Sequence, residues 1–101
     1  MMKEALSYKG NRIRLTEERW VHITSSHPEM VFLVDEVLNT IEHPDKVVNG
    51  DFGESISIKK IKGQEGKYMI VPYKDEVDGF IITAYITKKL REREILWEAR
   101  K

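Results

Sequence analysis

The sequence predicts an α+β domain in which two N-terminal helices pack on one face of a three- to four-stranded antiparallel sheet. Three observations carry this prediction. Leu33, Val34, Val37, Leu38 and Ile41 recur at helical spacing in the first half of the chain. The second half holds segments that alternate at period two or run β-branched and apolar, separated by turn-forming residues. The loops between these segments are short, which favours antiparallel neighbours. The 101 residues suit one domain, with 12–88 as its core and 89–101 as a charged tail.

Residues 1–10 have little pattern before a turn at Tyr8-Lys9-Gly10-Asn11. Arg12-Ile13-Arg14-Leu15 alternates as a short strand would. Thr16 is a good N-cap, and Glu17 and Glu18 suit the positive end of the helix that follows. This helix should reach Ser25 or Ser26, because a residue before proline, here His27 before Pro28, is pushed out of helical geometry. Pro28-Glu29 fits the first turn of a second helix. That helix carries the apolar stripe, sets Asp35, Glu36, Asn39 and Glu42 on its other side, and ends at His43-Pro44-Asp45.

Strands are expected at Lys46-Val47-Val48, at Ser55–Lys59 and at Lys67–Tyr73, with turns around Gly50 and at Gly63–Gly66. Residues 80–87 form the most strand-like segment. Unbroken alternation there would direct Phe80, Ile82, Ala84 and Ile86 under the helices and Ile81, Thr83, Tyr85 and Thr87 to the open face. The tail could close the sheet as a strand or form a helix; its sequence decides neither.

Lys and Arg number 17 and Asp and Glu number 17, so no long-range cationic field draws in nucleic acid, and any such contact needs a local patch. With no cysteine there is no disulfide scaffold, thiol nucleophile or thiolate zinc site. Apolar runs fall far short of the ~20 residues of a membrane helix, and the first residues lack a signal-peptide core. These features fit a cytoplasmic protein with no membrane partner.

The open sheet face is the first place where chemistry could reside. Thr83, Tyr85 and Thr87 would present hydroxyls there, although Thr and Tyr are also ordinary strand residues. His22 lies on the polar side of the first helix, since Trp20 and Ile23 take the core side; His27 lies at the break before Pro28. Either imidazole could act as an acid or base, or simply sit on the surface or cap a helix. No histidine spacing resembles a metal motif, and neither metal nor cofactor is expected. Lys59, Lys60, Lys62 and Lys67 flank one loop, and Tyr68 and Tyr73 follow on the next strand. Lysines and tyrosines in this arrangement could hold phosphates and stack bases, or the lysines could protect a sheet edge.

Taken in order, Leu15–Ile23 with its Trp-x-His-Ile, His27-Pro28-Glu29-Met30, Val37–Asp45 and Ile81-Ile82-Thr83-Ala84-Tyr85 resemble small prokaryotic and phage proteins of the barnase–EndoU–colicin–RelE-like nuclease superfamily. The resemblance spans residues 12–88. It implies helices on a four-stranded antiparallel sheet and metal-independent RNA cleavage on the open sheet face. It makes His22 the acid/base candidate and Thr83 and Tyr85 the phosphate- or base-positioning groups. Lys59, which matches no motif, would supply a cation. Tyr68, Tyr73, Lys60 and His27 complete the substrate-binding candidates. The sheet lacks the carboxylate–arginine–histidine set of a barnase-like site.

Two further readings use the same fold: a non-catalytic module that binds RNA or a protein, and an interaction protein that pairs through an exposed strand. The expected partners are therefore RNA, a protein such as an antitoxin, or a second copy of the chain.

Overall fold

The computed structural model describes residues 2–100. Met2–Leu6 (β1) and Arg12–Thr16 (β2) form a hairpin, followed by the helix Glu17–Ser26 (α1), a single 3-10 turn at Pro28–Met30 and the helix Val34–Glu42 (α2). Six strands complete the chain: Lys46–Asn49 (β3), Ser55–Lys60 (β4), Tyr68–Lys74 (β5), Gly79–Ile81 (β6), Tyr85–Thr87 (β7) and Ile95–Glu98 (β8). None of the helices in the described residues is long and apolar enough to cross a membrane.

Local chemistry explains the helix ends. The Thr16 hydroxyl oxygen accepts from the Arg19 N–H at 3.1 Å, satisfying one of the donors that a helix start leaves free. His27 closes α1 with its N–H on the Ile23 carbonyl at 2.8 Å. Pro28 then opens only the 3-10 turn, and α2 begins six residues later at Val34, without a side-chain cap. Its stripe buries Val37 and Ile41. Beside them Thr40, also buried, returns its hydroxyl to the Glu36 carbonyl at 2.7 Å, so it leaves no unpaired polar group in the helix interface.

The class is α+β, but the sheet is eight-stranded and mixed, in the order β1-β2-β6-β5-β4-β3-β8 with β7 on β5. This corrects the expected three- to four-stranded antiparallel sheet in three ways. First, β1 exists; it contains no β-branched residue and buries only Ala5, so its sequence carries almost no strand signal. Second, β2 joins the sheet parallel to β6, pairing Ile13 with Gly79 and Arg14 with Phe80. Short-loop reasoning applies to consecutive strands and is blind to this return across most of the chain. Third, the tail supplies β8, which pairs antiparallel with β3.

The expected strand at 80–87 is also interrupted. Tyr73 opposes Ile81 in β6, whereas Ile70 opposes Tyr85 in β7. Three residues, 82–84, therefore face only Val71 and Pro72, which is a β-bulge. Pro72 lacks the N–H that a regular ladder would use, and its carbonyl accepts from the Ile82 N–H at 2.9 Å. The extra residue inverts the expected facing of the first half: Ile81 is buried, while Phe80 is 41% exposed. Beyond the bulge the expected parity holds, with Ala84 and Ile86 toward the helices and Tyr85 on the opposite face.

Two apolar clusters follow. The larger lies between the helices and the sheet and includes Ile13, Leu15, Ile23, Met30, Val37, Ile41, Val71, Tyr73 and Ile81. The sheet curls around it far enough for Tyr8, in the β1–β2 turn, to stack on Trp97 of β8 with ring centroids 6.2 Å apart. The smaller cluster, Val48, Ile56, Ile58 and Ile70, lies on the far face beneath Tyr68, Tyr85 and Leu90.

Candidate functional site: a cleft on the far sheet face

Strand pairing sets out the far face in rows. Lys60, Tyr68 and Thr87 lie side by side across β4, β5 and β7; Ile58, Ile70 and Tyr85 form the next row. Directly opposed residues share a face. The irregular segment 88–94 leaves β7 and crosses this face before β8. Thr87 starts it: its hydroxyl donates to the Lys89 carbonyl and accepts from the Lys89 N–H, both at 3.2 Å. Leu90 then packs on the apolar floor.

The crossing segment and the sheet enclose a cleft of about 240 Å³. Its floor is Val48, Ile56, Ile58 and Ile70, and its rim carries Tyr85, Thr87, Lys89, Arg91 and Arg93. Leu90 divides it from a second cleft of about 350 Å³, lined in part by Lys46, Lys60, Tyr68 and Arg100. An apolar floor with a cationic, hydroxyl-bearing rim suits a phosphate-linked ligand with a flat apolar group.

His27 lines neither cleft, but its ring meets Tyr85, a residue of the first cleft's rim. Its ring lies 5.8 Å from the Tyr85 ring, centroid to centroid, at an interplanar angle of 31°. The Glu29 carboxylate stands 3.7 Å from His27 Nδ1. The backbone of His27 is fixed on both sides: its N–H caps α1 and its carbonyl accepts from the Met30 N–H at 2.9 Å. An imidazole thus meets the phenol that shares the cleft rim with three cations.

The cations are unevenly engaged. Arg93 forks onto Asp51, with Nη1 at 2.7 Å from Oδ1 and Nη2 at 3.4 Å from Oδ2. Arg91 approaches the same carboxylate at 3.6 Å. The hydrogen-bonded Arg93 guanidinium holds the Asp51 carboxyl below its ordinary value of 3.8, and Asp51 in turn raises Arg93. The Tyr85 phenol also contributes to the electrostatics of Arg93, which places the two near one another.

The other residues expected at the site are dispersed. His22 is exposed on α1 and lines neither cleft. Thr83 is half-buried in the bulge. Lys59 opposes Met69, on the helix face, and its Nζ donates to the His43 carbonyl at 2.6 Å. Lys60 and Tyr68 share the far face with Tyr85 but line the second cleft. Tyr73 lies wholly within the larger core; burial pushes its phenol well above the ordinary 10, against the lowering influence of Ser57 and Ser55 nearby. Its hydroxyl and the Ser57 hydroxyl are buried without a hydrogen-bond partner.

Lys89, Arg91 and Arg93 are the residues missed from sequence. They stand at every second position of the irregular crossing segment and line the same cleft. That periodicity was the available signal, and the intervening Glu92 masked it as a mixed-sign run. No protein-family model, curated protein or solved structure matches this chain.

Proposed function

We propose that this protein is a metal-independent ribonuclease acting at the cleft on the far sheet face. The observation that carries the proposal is the placement of His27 against Tyr85, 5.8 Å between ring centroids, at the rim of a cleft bearing Lys89, Arg91 and Arg93. In this reading His27, rather than His22, takes the proton from a ribose 2′-hydroxyl. The 2′-oxygen bonds to the adjacent phosphorus, the bond from phosphorus to O5′ breaks, and O5′ takes the Tyr85 phenol proton. Solvent then returns Tyr85 and His27 to their starting states. The products are a 2′,3′-cyclic phosphate and a 5′-hydroxyl. Cationic side chains at the rim offset the charge that develops on the phosphoryl oxygens. Glu29, 3.7 Å from Nδ1, orients the imidazole. Tyr68, with Lys60 beside it, offers a stacking surface and a cation for neighbouring nucleotides.

The test is incubation of the purified protein with a labelled oligoribonucleotide in EDTA, with His27→Ala, Tyr85→Phe and His22→Ala alongside. Cleavage leaving a cyclic phosphate should fall by about 10²-fold or more in His27→Ala and persist in His22→Ala. Undiminished cleavage in His27→Ala refutes the assignment. Binding of RNA without cleavage by the unmodified protein would instead identify a non-catalytic RNA-binding module.

A further inference from the structure

Among the charged groups on the far face, Arg93 has the best-defined geometry. Its side chain is 17% exposed, whereas its partner Asp51 is 53% exposed and sits on the turn between β3 and β4. The segment that carries Arg93 is anchored independently of this pair: the Asn49 N–H donates to the Glu94 carbonyl at 2.9 Å, and the Asn49 side-chain amide donates to the Glu94 carboxylate at 3.2 Å. Releasing Asp51 therefore leaves the backbone that carries Arg93 in place beside the cleft. Two anions match a guanidinium fork, a carboxylate and the paired non-bridging oxygens of a phosphate. Arg91 adds a second guanidinium to the same carboxylate, and Lys89 follows along the cleft rim.

We propose that Arg93, with Arg91, forms a phosphate subsite of the cleft, and that Asp51 fills this subsite in the free protein as an internal stand-in which the RNA backbone displaces. The proposal rests on the cleft taking RNA, but not on cleavage. Binding then exchanges one ion pair for another, and the free protein's affinity for phosphodiesters is held down by its own side chain. Asp51 acts as a competitor and does not help to bind.

The experiment measures binding of a 2′-O-methyl oligoribonucleotide, which lacks the nucleophile and cannot be cleaved, at fixed ionic strength. Asp51→Asn should bind about two- to fivefold more tightly than the unmodified protein, the range expected when an exposed ion pair no longer competes. Glu92→Gln removes one negative charge from the segment that carries Arg93 and should have a smaller effect. Arg93→Gln should weaken binding, and Asp51→Asn added to it should then give no gain. Thermal unfolding of each variant verifies that the fold is retained. The proposal is overturned if Asp51→Asn binds equally or more weakly, if Glu92→Gln gives the same gain, or if the gain survives in the Arg93→Gln background. Lost cleavage in His27→Ala with no gain in Asp51→Asn would refute this inference alone. A gain in Asp51→Asn with cleavage undiminished in His27→Ala would refute only the catalytic assignment.

Discussion

Replacing Gly79 by alanine should destabilise the protein at the joint between β2 and β6. A methyl group built on Gly79 would stand 2.5 Å from Ile13 Cδ1, 2.5 Å from the Lys74 carbonyl oxygen and 3.0 Å from the Glu76 carbonyl oxygen. Ordinary carbon contacts lie at about 3.5–4.0 Å, so two neighbours would each have to retreat by roughly 1 Å. Ile13 is fully buried within the larger core, and the Lys74 carbonyl belongs to the end of β5. Neither moves without disturbing packing or pairing. Overfilling of this kind costs about 1–3 kcal/mol, which in a domain of this size corresponds to a fall in Tm of roughly 4–8 °C per kcal/mol. Circular dichroism melts and urea midpoints measure it. Gly50→Ala is the control, because a methyl there meets only the flexible Glu54 side chain. Ile13→Val removes Cδ1, so its cost and that of Gly79→Ala should add to more than the cost of the double variant. A Gly79→Ala loss no larger than that of Gly50→Ala, or strict additivity with Ile13→Val, would refute the close approach of the two parallel strands.

Tyr73→Phe should be neutral or stabilising by up to about 1 kcal/mol, because it removes a buried hydroxyl that has no hydrogen-bond partner; a clear loss of stability would show that the hydroxyl is satisfied. Thr16→Ala should cost about 1 kcal/mol through the lost cap on α1, measured by chemical denaturation. Because the folded-state pKa of Asp51 is depressed, its pairing with Arg93 contributes above the ordinary carboxyl value of 3.8 and is lost as pH falls through the lower folded value. Trp97 fluorescence followed across that window should report loosening of β8 in the unmodified protein and little change there in Asp51→Asn. Leu90→Ser should merge the two clefts and expose their apolar floor, raising the binding of a hydrophobic dye without unfolding the helices.

The parts of the fold written in local chemistry were legible in the sequence. Thr16 and the apolar stripe of α2 specify helices through capping and periodicity, β4 specifies a strand through alternation, and β5 through a short apolar run bounded by turn residues. The sheet's size was not, because β1 has no strand-forming signature and the pairing of Ile13 with Gly79 joins residues from opposite ends of the chain. The same limit governed the site. In β4, Ile56 and Ile58 face the far side and Ser55 and Ser57 are buried toward the helices, so alternation alone gives no rule for which face is the wetter. Lys59 and Lys60 are adjacent, and strand parity admits only one of them to the far face; the choice depends on which row β5 offers. Tyr85 fell on the expected face because the bulge precedes it. Its proximity to His27 depends on the three-dimensional course of the chain after α1, which no spacing in the sequence expresses.

The bulge at 82–84 also determines how this protein tolerates changes in length. One surplus residue lets Ile81 point inward on one side of the interruption while Tyr85 points outward on the other. Deleting one residue from 82–84 would restore regular pleating without turning the strand over, because two residues would then face Val71 and Pro72 and Tyr85 would still oppose Ile70. Tyr85 and Thr87 would keep the far face and Ile86 the helix side, whereas a deletion within the regular ladder of β5 would turn the side chains beyond it over. An equal deletion in the Gly63–Gly66 loop would alter only the connection between β4 and β5. A library of single-codon deletions should therefore show better tolerance at 82–84 than within the regular ladders of β4 and β5. In those ladders the division between core and cleft is set by counting residues, whatever their chemistry.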